Sequence, residues 1–331
     1  MKSIAIRVRR EESEKILRII SRYDILRKDL KAFERDGYVH FPVIKNIPEL
    51  EMYMTESDFQ ERPEKGIREI LVRELGEKGM DIGWQRIGDA VIFNAGSGIN
   101  EDICREICQR TGAGQIYEID GKIEGDIRKP ELIPIYGNPH DTIYRENGVN
   151  FVLNPSRVML SKGNISERGI PYFNLIRPEN VLDMFSGIGY FSLPLGRKFQ
   201  IRSMTCIDLN PISLEYLKKS YEKSNFTFDL TLRNMDCRNF SSDEKFDFIL
   251  MGNFKSFNYL PHALKHSSSS ADIVLHHLES SDSMVSSLYE ILRKCKLPGY
   301  RAWIRDSHKV KSYAPHMWHI STLIHVERKR Y

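Results

Sequence analysis

Long apolar runs are missing from this sequence: no window approaches the roughly 18 uninterrupted apolar residues of a membrane span. The opening MKSIAIRVRREESEK alternates and then turns charged, so it lacks the apolar core of a secretory signal. Cysteine is scarce as well. Cys104, Cys108, Cys206, Cys237 and Cys295 are too few and too scattered for a disulfide framework, and an odd count fits a reducing compartment. A cytoplasmic protein with no membrane contact is expected. Cys104 and Cys108 stand four apart, but no second Cys or His pair follows at ligand spacing, so no metal site is expected. There is no internal repeat, and only Ser267 to Ser270 is low in complexity.

What is present is an ordinary globular composition, 41% hydrophobic and 28% charged, in 331 residues, which is long enough for two or three domains. The net charge of +4 hides an asymmetry. Residues 1–150 hold 24 Lys and Arg against 28 Asp and Glu, whereas residues 151–331 hold 25 against 17. A polyanionic partner is one explanation of the basic second half, because neutralising phosphates releases counterions; a solvated basic surface is the other.

Hydrophobic periodicity divides the chain. Residues 1–45 read as a small α+β unit: SIAIRVR alternates at period two, EESEKILRIISRY spaces Ile16, Ile19 and Ile20 helically, and YVHFPV is a strand. Residues 46–83 read as a linker with one helix around Gly66 to Leu75. Residues 84–170 read as β-rich, with strands in DAVIFN, QIYEIDGKIEG, ELIPIYG and TIYRENGVNFVLN, turns at Asp120-Gly121 and Asn147-Gly148, and a helix in INEDICREICQRTGA. From residue 171 to 331 short buried strands alternate with amphipathic helices, which signals a parallel sheet with crossover helices. VLDMF, SMTCIDL, FDLTLRN, FDFILMG and DIVLHH are the strands. RAWIRDSHKV and HISTLIHVER, joined by KSYAPH, are too closely connected for a crossover and should pair antiparallel. The expected fold is therefore α/β, Rossmann-like, with seven strands and an antiparallel last strand, preceded by small α+β domains.

The chemistry-bearing constellation lies in that last segment. In VLDMFSGIGYFSLPL a buried strand runs into Asp183, a turn follows with Phe185, Ser186, Gly187 and Gly189, and a helix begins after it; such glycines let a ligand approach backbone N–H groups. The next strand ends in Asp208-Leu209, with Asp208 about 20 residues beyond the turn, where a carboxylate reaches a ribose diol. The third leads to Asp236-Cys237, placed to meet an adenine amine. GIG is too short a turn to supply pyrophosphate contacts. An adenosine ligand without pyrophosphate fits better, which makes S-adenosylmethionine the expected cofactor, in a class I methyltransferase fold; a nicotinamide cofactor or a catalytically dead fold are the alternatives.

VLDMFSGIGYFSLPL, IDLNP, FDFILMG and the closing VKSYAPHMWH resemble the tRNA-modifying transferases that act on the purine just 3′ of the anticodon. Two branches exist there, the guanine-N1 methyltransferases and the wybutosine-pathway enzymes that transfer a 3-amino-3-carboxypropyl group. DTIYRENGVNFVLNPSRVMLSKGNISER is similar to the element preceding the family's cofactor domain, and RKDLKAFERDGYVHFPV to the N-terminal domain that grips the tRNA body. The first domain and IDLNP look like the methyltransferases. Met159 to Asn164, with Ser161, and Met251-Gly252-Asn253 look like the aminocarboxypropyl branch, and because these two stretches sit at the reacting end of the pocket they carry more weight.

The resemblance implies aminocarboxypropyl transfer to a tricyclic base of tRNA, tRNA-Phe being the expected partner, by a monomer. The alternatives are guanine-N1 methylation, a dual-function enzyme, or a non-catalytic tRNA-binding protein. It implies that Ser161, Asp183, Phe185, Ser186, Gly187, Gly189, Asp208, Leu209, Asp236, Cys237 and Gly252 hold the cofactor. Glu167, Arg168 and Asn253 are the catalytic candidates: Arg168 near the target nucleotide or its phosphate, Glu167 orienting Arg168 or taking a proton late, and Asn253 facing the base. A basic residue common two positions after the family's Arg is replaced by Ile170. His276 and His277, at a strand end near the site, read equally as core histidines or substrate contacts.

Overall fold

The computed structural model describes residues 2–23, 25–27, 30–45, 47–59, 63–120, 131–159, 164–280, 283–296 and 299–329. The chain divides into two units, the first made of Met1–Gln85, Val91–Glu118 and Pro134–Asn138, the second of the remainder.

In the first unit, β1 (Lys2–Arg9) is the centre of a sheet ordered β2-β3-β1-β4, with β2 at Phe33–Arg35, β3 at Tyr38–Pro42 and β4 at Met54–Asp58. β1 pairs antiparallel with both neighbours. The β2–β3 hairpin turns on Asp36 and Gly37, both at positive φ (53° and 76°), as a two-residue turn matched to strand twist requires. Helix α1 (Ser13–Arg22) lays Ile16 and Ile20 against Ile6, Val8 and Phe41. Each such buried side chain contributes roughly 1.5–3 kcal/mol.

The stretch read as a linker is largely folded. It supplies β4, then α2 (Pro63–Leu75) and α3 (Glu77–Asp81). Ile67, Ile70 and Leu71 of α2 are fully buried with Ile103, Cys104 and Ile107 of α4 (Glu101–Thr111). Helix α4 is bounded as its sequence dictates: the Asn100 side chain accepts from the Ile103 amide at 3.0 Å, and Gly112 closes it at φ 66°. A second four-stranded sheet runs β5-β6-β7-β8, with β5 at Trp84–Ile87, β6 at Ala90–Phe93, β7 at Gln115–Ile119 and β8 at Leu132–Tyr136.

The second unit opens with the hairpin β9 (Thr142–Glu146) and β10 (Val149–Leu153), turning on Asn147 and Gly148 at φ 49° and 74°. The free edge of β10 is covered in an economical way: its Asn150 and Val152 amides donate to the hydroxyls of Ser224 and Ser220, each at 2.9 Å. A one-turn helix, α5 (Ile165–Arg168), follows.

Then comes the main sheet, ordered β13-β12-β11-β14-β15-β17-β16. Its strands are β11 (Asn180–Asp183), β12 (Ser203–Asp208), β13 (Asp229–Asn234), β14 (Phe246–Met251), β15 (Ser267–Ser280), β16 (Tyr300–Ala314) and β17 (Met317–Arg328). β11 to β15 are mutually parallel, and β17 runs antiparallel to both β15 and β16. The connecting helices are α6 (Ser192–Lys198), α7 (Pro211–Lys223), α8 (Ser256–His266) and α9 (Met284–Lys296). This is the seven-stranded α/β sheet with an antiparallel last strand that the sequence predicts. The final hairpin is tighter than expected, since β16 extends through SYA and leaves only Pro315 and His316 to turn, His316 at φ 59°. Among the described residues no helix is long and apolar enough to cross a membrane.

Candidate active site

Strand order reverses at β11, where the chain places β12 on one side and β14 on the other, so a crevice opens at the strands' carboxyl ends. The turn after β11 is pinned to both neighbours: Met184 N–H donates to Leu250 O and Ser186 N–H to Ile207 O, each at 3.0 Å. Gly187 (φ 53°) and Gly189 (φ 88°) both need glycine's conformational freedom. An added Cβ would stand 2.7 Å from the Tyr190 ring or from Leu193. The Gly187 amide donates to Asp208 Oδ2 at 2.7 Å and the Asn210 amide to Asp208 Oδ1 at 2.9 Å. Asp208 therefore ties the first turn to the second while presenting its carboxylate to the cavity.

Four strand ends line that cavity. Met184, Phe185, Gly187, Tyr190 and Phe191 come from the first turn, Asp208, Leu209, Asn210 and Ser213 from the second, Met235, Asp236, Cys237 and Arg238 from the third, and Gly252, Asn253, Lys255 and Tyr259 from the fourth. Val158 and Met159 add a lip from the segment before α5. Phe185 and Tyr259 meet edge to face at 5.0 Å.

The predicted cofactor residues separate into lining and support. Phe185, Gly187, Asp208, Leu209, Asp236, Cys237 and Gly252 face the cavity, and Leu209 is 48% exposed at its rim. Asp183, Ser186 and Gly189 lie behind it. Asp183 is buried; its Oδ1 accepts from the Phe185 amide at 3.1 Å, and its Oδ2 has no hydrogen-bond partner among the described residues. Burial pushes its pKa up to about 7. The Ser186 hydroxyl turns back to Ile207 O at 3.3 Å. Asp236 is engaged on both oxygens by the Arg238 guanidinium, whose hydrogen bond holds the carboxyl below its usual range. Burial pushes the Cys237 thiol up to about 12, so it serves as an apolar wall. Ser161 lies outside the described residues.

Asn253 has two jobs. Its side-chain oxygen accepts from the Lys255 amide at 2.8 Å and its carbonyl from the Ser256 amide at 2.9 Å, which sets the entry into α8 while the residue lines the cavity. Gly252 lets the loop close down on Phe191, whose ring would be 3.1 Å from an added Cβ.

Glu167 and Arg168 are each 2% exposed on α5, and neither lines the cavity. They also face different partners, which differs from the expectation that Glu167 orients Arg168. The Arg168 guanidinium is bidentate on Glu146 of β9, at 2.5 and 2.7 Å. Glu167 Oε2 instead accepts from His308 at 2.8 Å. Burial raises the Glu167 pKa, but the His308 hydrogen bond and the nearby His276 outweigh it and hold the carboxyl low. His276 Nδ1 meets His319 Nε2 at 2.8 Å, and His277 Nε2 meets the Thr322 hydroxyl at 3.2 Å.

Sequence reasoning missed Tyr190, Phe191, Met235, Arg238, Lys255 and Tyr259 as lining residues, and Glu146 and His308 as partners. A signal existed for Tyr190 and Phe191: they follow the glycine turn directly, so they stand in the crevice. None existed for Glu146 or His308, whose roles depend on pairing across 22 and 141 residues.

Known proteins resemble this chain over much of its length. Residues 142–298 match the TRM5/TYW2 methyltransferase domain, and residues 5–51 match the tRNA methyltransferase 5 N-terminal domain. The tRNA(Phe) (4-demethylwyosine(37)-C(7)) aminocarboxypropyltransferase of Methanocaldococcus jannaschii is 30% identical over 243 residues, 73% of this chain and 96% of that protein. The tRNA (guanine(37)-N(1))-methyltransferase Trm5b of the same organism is 25% identical over 236 residues, 66% of this chain and 69% of that one. Among solved structures, Pyrococcus horikoshii TYW2 in complex with MeSAdo aligns with a TM-score of 0.67 at 26% identity, covering 80% of this chain and 98% of that one.

Proposed function

This chain belongs to the TRM5/TYW2 methyltransferase-domain family, and from that premise we propose that it transfers the 3-amino-3-carboxypropyl group of S-adenosylmethionine to a demethylwyosine-type tricyclic base at position 37 of tRNA-Phe. The carrying observation is the cavity itself: an open crevice at the reversal of strand order, floored by a turn with no room for side chains and rimmed by the Asp208 carboxylate.

That cavity suits the cofactor on its own geometry. Gly187 lets the backbone of the turn face the cavity, Asp208 offers a carboxylate for a diol, and Cys237, Met235 and Tyr259 supply apolar wall beside Asp236. When bound, the cofactor supplies a sulfonium whose attached carbons are electrophilic. The protein's part is placement: the transferred group is decided by which of those carbons meets the nucleophile in line. The Gly252–Asn253 loop stands where that choice is made, and its close fit on Phe191, with no proline, supports aminocarboxypropyl over methyl transfer. In this reading Asn253 faces the base, Glu167 takes a proton late, and Arg168 braces the segment leading to the target.

Guanine-N1 methylation is the second reading, favoured by the match of residues 5–51 to the methyltransferase-5 N-terminal domain. We further place the protein in the cytoplasm as a monomer acting on tRNA, which the basic second half supports. Labelled cofactor decides between the readings. Carboxyl-carbon label should pass to tRNA bearing the demethylated tricycle, and methyl label to plain guanosine at the same position should not. Methyl transfer alone would overturn the first reading, and absence of S-adenosylmethionine binding by titration calorimetry would overturn both.

A further inference from the structure

Behind the Phe191 wall, titratable side chains from four elements converge. A bulge in β16 between Ile304 and Asp306 shifts the strand's alternation by one residue. Beyond it, His308 is clamped between two carboxylates, its Nδ1 2.6 Å from Asp306 Oδ2 and its Nε2 2.8 Å from Glu167 Oε2. An imidazole can satisfy both only by donating from both nitrogens, that is, as imidazolium. The second Glu167 oxygen, Oε1, stands 3.8 Å from His276 Nε2, and neither atom has a hydrogen-bond partner among the described residues. His276 in turn stacks on Phe191, ring centroids 4.8 Å apart, and Phe191 lines the cofactor cavity.

Buried polar atoms are nearly always paired, so unpartnered ones gathered in one cluster call for an explanation. Besides Glu167 Oε1 and His276 Nε2, the His319 Nδ1, Tyr172 hydroxyl and Ser321 hydroxyl belong to the same set. A layer built only for stability would be expected to close these contacts. One that must accept a proton keeps an acceptor open.

We propose that His308 is a positioning residue for the transfer reaction: braced by Asp306, it fixes Glu167 as an anion with one oxygen open, ready for the proton that alkylation releases. The inference rests on the transferase reading above. In that step a pair from the attacked atom of the base forms the bond to the cofactor carbon, and the carbon–sulfur pair leaves with the thioether. The hydrogen of the attacked atom departs as a proton that reaches Glu167 by way of His276, which stands between it and the Phe191 wall, and no further reactant is needed. The groups facing Glu167 are His308 and Asp306 from β16, His276 from β15, Ser321 and His319 from β17, and Tyr172; Arg168 is turned away to Glu146. His308 is pushed up to about 9 by its Glu167 and Asp306 hydrogen bonds, whereas burial pushes His276 down to about 4 and His319 to about 3, leaving His308 as the charged ring of the layer.

His308→Gln keeps a donor without the charge. Its kcat should fall on the order of 100-fold, the scale of lost general acid–base help, with KM for cofactor and tRNA within about twofold, since His308 is not part of the cavity lining. In the wild type the rate should fall at high pH as His308 deprotonates near 9. In His308→Gln that limb should vanish and the acid limb move upward, because the largest influence opposing burial at Glu167 is then gone. Asp306→Asn should bring the alkaline limb below 9. Histidine nitrogen NMR needs no turnover: one ring should remain doubly protonated to about pH 9 in the wild type and lose that state in Glu167→Gln. Wild-type kcat and pH profile in a folded His308→Gln protein would overturn the proposal, as would a His308 ring titrating in the ordinary histidine range. Which label the wild type transfers tests the reading above; the variant-to-wild-type ratio, on whichever group moves, tests His308. Should His308→Gln fail to fold, Asp306→Asn and the NMR titration decide.

Discussion

Asp236 at the cavity rim is held by Arg238, two residues on, whose guanidinium is 60% exposed; Arg168 behind the wall is held by Glu146, 22 residues back, with 2% and 6% of the two side chains exposed. Both are tight arginine–carboxylate pairs, yet they do different work. At the rim, water solvates either partner alone, so the pair shapes a turn and leaves the Asp236 position adaptable. Behind the wall both side chains are shut away from water, so the pair joins β9 to α5 and holds the approach to the site. The same contrast runs through the acids. Asp208 accepts from the Gly187 and Asn210 amides and faces the cavity, while Asp183, one layer deeper, keeps an oxygen unpartnered among the described residues and a pKa of about 7.

The most severe test of that contrast is Glu146→Gln. It strands the Arg168 charge in the interior and should cost about 3–5 kcal/mol of unfolding free energy in urea. Replacing both partners, Glu146→Gln with Arg168→Met, should recover much of that loss, because the stranded charge is gone. A Glu146→Gln protein within about 1 kcal/mol of wild type would mean that the interior here is wet enough to treat both pairs alike.

Asp183 gives the next largest effect, through pH. Its folded pKa of about 7 lies above its unfolded value of about 3.9. The folded state therefore binds the proton more tightly, and the group's contribution to stability is full below about pH 4, declines as pH rises, and is spent above about pH 7. Across that window a slope of up to about 1.4 kcal/mol per pH unit is expected from this residue. Asp183→Asn should flatten it, measured as urea midpoints at a series of pH values. An unchanged slope in the variant would place the titrating group elsewhere.

How much of this was legible in the sequence follows from the range of each interaction. The turn around Gly187 and Gly189 and the acids Asp208 and Asp236 were readable because their geometry is set by residues two or three positions away and by strand order. The seven-stranded sheet was readable for the same reason, since alternation and crossover length are local properties. Two features were not. β4, with the sequence MTESD, has no hydrophobic alternation to announce it and becomes a strand only because the edge of β1 is free to pair. Glu167 was read beside Arg168 because they are neighbours in the chain, yet the bulge in β16 brings His308 to Glu167 across 141 residues. No periodicity carries that pairing.

The smallest effect belongs to Arg238→Gln. An exposed ion pair gives up little when broken, because water replaces the lost partner and the freed side chain regains entropy. The thermal midpoint should not move measurably, and the turn should persist, since the Asp236 carboxylate still accepts from the residue-238 amide at 2.8 Å. What changes is Asp236: without the guanidinium that holds its pKa down, its titration should rise toward the ordinary carboxylate range, and Oδ2 becomes available to a ligand. S-adenosylmethionine binding, followed by calorimetry from pH 7 down to 4, should therefore weaken at a higher pH in the variant than in the wild type. A superimposable pH dependence would show that Asp236 does not meet the cofactor, and would reduce the acidic rim to Asp208 alone.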